Sequence, residues 1–204
     1  MLKSPYKKTK HLDKFTIKYF KTFNAASQNI KIEQVTIIYK IILDLLIKNK
    51  KIFIAGNGGA AAVANHFVTD FNKSVTFSTR SKLKPRFTSL SNSVETITTV
   101  GNDFGYKYIF LNQLEALADR GDGIILLNCS GNSSNIINAA NTAKKKGLKI
   151  IFLTGFEKTK INDIKYYIDL NCQNYGITEN LFSSLLHIIS QFLRFSFSKR
   201  KEIL

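Results

Sequence analysis

The chain has 204 residues, 44% of them hydrophobic, which suits one domain with a sizeable core. No run of 18 or more apolar residues occurs, and residues 1–21 are basic without the apolar centre and cleavage site of a signal peptide, so a cytoplasmic protein without a membrane span is expected. The net charge of +16 raises nucleic acid as a partner, but lysine outnumbers arginine 25 to 5 and is spread along the chain, which disfavours bidentate readout and fits a field that attracts anionic metabolites.

In chain order, residues 1–10 carry Lys3, Lys7, Lys8 and Lys10 and are expected to fray. Residues 12–28 and 31–49 read as helices. In the second, Val35, Ile38, Ile42, Leu45 and Leu46 recur at helical spacing with Lys40 and Lys48 off that face. Two apolar helices over residues 11–49 need a core or a second subunit to cover. From residue 51 the pattern becomes strand, turn, helix. Strands are expected at 51–55, 86–90, 123–128, 149–153 and 166–170. Helices are expected at 60–71, 94–100, 108–118, from the serine-containing turn to Lys146, and at 179–196. Gly147 reads as a helix stop. Strands alternating with helices through short turns predict a parallel sheet with helices on both faces. The continuous apolar run 124–127 fits a strand buried on both sides. Cys129 and Cys172 form no CxxC pair and no metal-type spacing, and read as packing thiols of a reducing compartment.

Two strand-end turns carry the chemistry. The first is Gly56-Asn57-Gly58-Gly59-Ala60, where glycine permits positive φ and the next helix offers free N–H groups to an anion. It is neither a GxGxxG fingerprint nor a P-loop. The second is Asn128-Cys129-Ser130-Gly131-Asn132-Ser133-Ser134, whose hydroxyls and amides suit a phosphate. Either alone could be a helix cap. Two at the carboxyl ends of strands in one sheet point to a ligand site.

These turns, with 'IFIAGNGGAAAVANHFVTDF', 'GNDFGYKYIFLNQLEALADRGD', 'CSGNSSNIINAANTAKKKGLKIIFLTG' and 'NYGITEN...LLHII', resemble the sugar isomerase (SIS) phosphosugar-binding family, in its phosphoheptose isomerase branch. The resemblance spans about residues 31–195. It implies a flavodoxin-like three-layer α/β/α fold with a five-stranded parallel sheet and two N-terminal helices. It further implies a homotetramer with sites built between subunits, and aldose–ketose isomerisation of a phosphorylated heptose such as sedoheptulose 7-phosphate for surface polysaccharide. It assigns phosphate binding to Ser130, Gly131, Asn132 and Ser133, and sugar contacts to Asn57, Gly58, Gly59 and Asp103. A brace for the 102–105 turn is the plainer reading of Asp103. The residues matching the family's catalytic set are His66, Asp70, Glu179 and His187, with Asp70 as base and His187 as acid. The same four are candidate zinc ligands, and zinc is the candidate cofactor.

The chain departs from the family pattern at four positions. Ala60 and Asn128 stand where serine is usual, Asp70 where glutamate is, and Glu179 where glutamine is. The shorter Asp70 matters where about 1 Å of misplacement costs about a hundredfold. Glu179 and His187 are eight apart, about 12 Å along a continuous helix. Either Glu179 precedes the helix, or the two serve different subunits' sites. The substitutions favour a non-catalytic phosphosugar-binding regulatory module, and retention of all four polar positions favours an enzyme.

Overall fold

The structure, a computed structural model, describes residues 10–80, 82–156, 161 and 164–198. The expectation for residues 1–9 lies outside them. Among the described residues no helix is long and apolar enough to cross a membrane.

Five strands form the sheet: β1 (Ile52–Gly56), β2 (Phe87–Ser89), β3 (Gly123–Asn128), β4 (Lys149–Thr154) and β5 (Tyr166–Asp169). Their spatial order is β2-β1-β3-β4-β5 and every pairing is parallel, which is the flavodoxin-like order with its switch point between β1 and β3. The pleat sorts the side chains. Ile52, Ile54, Ile125, Leu127, Ile151, Leu153 and Ile168 face one buried cluster, while Phe53, Ala55, Ile124, Leu126 and Phe152 face the other. The strands therefore read as unbroken apolar runs, because both faces are covered.

The first face is covered by α2 (Ile32–Ile47), α3 (Gly59–Thr69) and α8 (Tyr175–Phe197). The second is covered by α5 (Val94–Asp103), α6 (Ile109–Leu117) and α7 (Ser134–Lys145). On α2, the expected residues Ile38, Ile42, Leu45 and Leu46 are buried, and Val35 packs at their edge. The first helix, α1 (Leu12–Ser27), buries only Ala26. It leans on α8 through Tyr19, whose hydroxyl accepts from Asn180 Nδ2 at 3.2 Å.

Two boundaries differ most from expectation. The helix predicted to stop at Phe71 runs on as a wider π-helical turn, Asp70–Val75, and a short α4 (Thr76–Ser78). The wider turn keeps both Phe71 and Val75 in the core, where Phe71 stacks on Phe87 at 4.1 Å. The last helix begins at Tyr175, not Glu179, because the Asn174 side chain caps it by accepting from the Ile177 N–H at 3.0 Å.

Candidate functional site

The parallel register pairs Gly56 with Leu127, so the glycine turn after β1 and the serine turn after β3 lie side by side. Between them is a cavity of about 240 Å³, closed on a third side by Tyr175 and Glu179 of α8. Gly58 turns the chain with φ +56°, a conformation a side chain resists. Gly59 lies so close under the Glu179 carboxylate that an added Cβ would overlap it.

Asn57 is a brace. Its amide and that of Asn135, in the first turn of α7, donate to each other at 2.9 and 2.8 Å, and the Tyr106 hydroxyl donates to Asn57 Oδ1 at 2.9 Å. Nothing in the sequence pattern pointed to Asn135 or Tyr106. An asparagine near a helix start reads as a cap until the opposite turn is in place.

In the serine turn, Asn128 is 2% exposed. Its Oδ1 accepts from Ser130 Oγ at 3.3 Å and from Ser133 Oγ at 3.0 Å, while its Nδ2 is buried with no hydrogen-bond partner among the described residues. Gly131 holds φ +78°. Gly131 and Asn132 shape the turn, while Ser130 and Ser133 line the cavity. Cys129 is buried, as expected of a packing thiol, but also lines the cavity. Burial, with the nearby Glu179, pushes its thiol up to about 12, so it stays protonated at neutral pH. Burial also raises Glu179 above the usual carboxylate range, opposed by a hydrogen bond to the Ala60 backbone. The Ala60 methyl packs in the core. Asp103 ends α5, is exposed, accepts from Asn102 Nδ2 at 3.0 Å, and lies outside the cavity lining.

The other candidate residues gather further along the same two helices. His187 Nδ1 lies 3.7 Å from Asp70 Oδ2. The His66 and His187 rings meet edge to face with centroids 5.2 Å apart, and the His187 ring packs on Phe67 at 4.8 Å. The Ser190 hydroxyl, fully buried, donates to Asp70 Oδ2 at 2.5 Å. Ser190 lies one turn beyond His187, on a face the sequence reading took as plain helix. Gly59 meets Glu179 at one end and Asp70 meets Ser190 at the other, so α3 and α8 run side by side in one direction.

This geometry separates the four candidate zinc ligands. Glu179 sits within α8, so it does not precede the helix, and it belongs to the turn cavity. His66, Asp70 and His187 lie beyond it, and among the described residues of one chain no three His, Cys, Asp or Glu side chains are placed to hold a metal ion. Within one chain the donor set does not fit zinc.

An α/β sheet with a cavity at its switch point, and a carboxylate and an imidazole meeting on adjoining helices, is the architecture of a small-molecule-binding protein. The chain belongs to the SIS domain family, whose pattern matches residues 18–155, and within it to the phosphoheptose isomerase-like branch. It is 39% identical to the phosphoheptose isomerase of Aliarcobacter butzleri over 125 residues, which are 61% of this chain and 65% of that protein. The match thus spans a little under two thirds of that relative. It is 33% identical to the phosphoheptose isomerase of Nitratiruptor sp. over 154 residues, 76% of this chain and 80% of that one. In fold it is similar to the structure of the phosphoheptose isomerase from Neisseria gonorrhoeae, with a TM-score of 0.78 at 23% identity, covering 89% of this chain and 97% of that one.

Proposed function

We propose that the chain is a phosphosugar isomerase that interconverts the aldose and ketose forms of a phosphorylated heptose, such as sedoheptulose 7-phosphate, for surface polysaccharide synthesis. The observation that carries this reading is the approach of Asp70 and His187 from two neighbouring helices, Oδ2 to Nδ1 at 3.7 Å. Isomerisation needs a base for the C–H beside the carbonyl and an acid for the carbonyl oxygen. Asp70 takes the carbon-bound proton while His187 gives one to the carbonyl oxygen, leaving a neutral enediol. The reverse transfers at the neighbouring carbon complete the reaction. Ser190 fixes the Asp70 carboxylate. The phosphate end sits against Ser130, Ser133 and the N-terminus of α7. The glycine turn meets the sugar through its backbone, since the Asn57 amide is engaged by Asn135 and Tyr106.

His66 lies about 10 Å along α3 from the glycine turn. A site shared between copies relieves that separation, with one chain's turns facing the histidines of another in a homotetramer. The surface suits this. An apolar groove of about 430 Å³ runs between α2 and α8, lined by Ile32, Val35, Tyr39, Ile189 and Phe192 among others. Ile188 and Phe192 on its rim are 54% and 50% exposed. Light scattering is expected to give a tetramer that dissociates on Ile188→Asp, and a monomer at micromolar concentration would remove the shared site.

The activity is tested by incubation in D2O with phosphorylated ketoses and aldoses, following deuterium by NMR. Exchange at the carbon beside the carbonyl is the expected result. Binding of a phosphosugar without exchange would instead make the chain a regulatory phosphosugar-binding module.

A further inference from the structure

A serine inside a helix ordinarily gives its one hydroxyl proton to a carbonyl of its own helix, three or four residues back. Ser184 does so in α8, donating to the Asn180 carbonyl at 2.9 Å. Ser190 has such a carbonyl in reach, that of His187 at 3.2 Å, but Asp70 Oδ2 lies closer, at 2.5 Å. Ser190 is also 0% exposed, in the same buried stretch of α8 as Leu186, Ile189 and Leu193. A hydroxyl there is tolerated only when it is bonded, and its nearest partner is the carboxylate of a different element. The spacing between the two is held from several sides. His187 Nδ1 stands 3.7 Å from the same Oδ2. Two residues beyond Asp70, the Asn72 side chain donates to the Phe87 carbonyl and accepts from the Phe87 N–H, each at 2.9 Å. Further along, Arg194 Nε donates to Ser78 Oγ at 3.2 Å, so α8 is tied to this segment beyond Asp70 as well. One more methylene at position 70 would carry the carboxylate about 1.5 Å further, onto the Ser190 hydroxyl.

We infer that Ser190 is a positioning residue matched in length to Asp70: its hydroxyl holds an aspartate carboxylate beside His187 and leaves no space for a glutamate. The inference rests on the isomerase reading of the site. It adds that positions 70 and 190 act as one unit, in which a short base and a buried hydroxyl together span the gap that a longer side chain would cross alone.

The test is a double-mutant cycle on the full chain, read as deuterium exchange into sedoheptulose 7-phosphate with kcat and KM measured separately. Ser190→Ala removes the hydroxyl without adding bulk, and is expected to lower kcat by about ten- to a hundredfold, the scale of a small misplacement of the base. KM is expected to stay within about twofold, because Ser190 lies outside the cavity lining. Asp70→Glu keeps a carboxylate and is expected to lose about tenfold or more in kcat as well. The double variant is expected to be no slower than the slower single variant, because the glutamate then enters the space the hydroxyl leaves. Losses that multiply would mean that the two positions act independently, and would overturn the inference while the isomerase reading stands. So would an unchanged kcat in either single variant, or a Ser190→Ala loss confined to KM. Should Asp70→Glu not fold, the cycle is read as urea midpoints. A midpoint restored by adding Ser190→Ala supports the inference, and one not restored overturns it. An unaltered protein that binds sedoheptulose 7-phosphate and exchanges no deuterium overturns the isomerase reading and this inference together.

Discussion

Asp70→Asn is expected to lower the rate of deuterium exchange into the sugar by about 10²–10⁴-fold, the usual contribution of a positioned general base. The substitution keeps the size of the side chain and an oxygen that can accept from Ser190, so the fold and the phosphosugar affinity are expected to stay within about twofold. What it removes is the capacity to take a proton. Asp70 suits the task through its surroundings: its side chain is 14% exposed and faces His187 on one side and the buried Ser190 hydroxyl on the other. The carboxylate is short, but it is held from two directions, so the shorter reach is offset by fixed position. Retained exchange in Asp70→Asn would remove Asp70 from the reaction.

Phe67→Ala is expected to cost about 3–5 kcal/mol of stability, the range for truncating a fully buried phenylalanine. Phe67 is 0% exposed, with ring centroids 6.2 Å from Phe71 and 4.8 Å from His187. Truncation opens a cavity between α3, the wide turn after it and α8. It also removes the surface on which the His187 imidazole rests. Urea unfolding at fixed protein concentration is expected to show the loss as a lower midpoint with an unchanged slope. The folded fraction is expected to exchange deuterium more slowly as well, because His187 loses its orientation. A midpoint shift equivalent to less than about 1 kcal/mol would mean that the site collapses around the truncation at little cost.

Much of the fold was legible from residue 51 onward. Apolar runs ending at Gly56 and Asn128 marked β1 and β3, and the spacing of Ile38, Ile42, Leu45 and Leu46 marked the buried face of α2. The π-helical turn was not legible, since it arises from fitting Phe71 and Val75 to a core made by distant strands. The start of α8 was expected at Glu179, whereas the Asn174 cap sets it at Tyr175. In the site, Asp70 and His187 were named by resemblance, and the structure places them 3.7 Å apart. Asn135, Tyr106 and Ser190 escaped notice because their partners lie 78, 49 and 120 residues away. Long-range polar pairing leaves no local pattern. The reach of Glu179 to Gly59 was hidden for the same reason, and it separates Glu179 from the other three residues that the resemblance had grouped with it.

The reciprocal amides of Asn57 and Asn135, 2.9 and 2.8 Å apart, make a crossbar between the two turns. Either turn alone would be a loop free to shift against its neighbour. Bolted together, they form one wall of the cavity, and the opposing wall is the capped start of α8 with Tyr175 and Glu179. Two turns tied to each other in this way lose little further freedom when a ligand arrives.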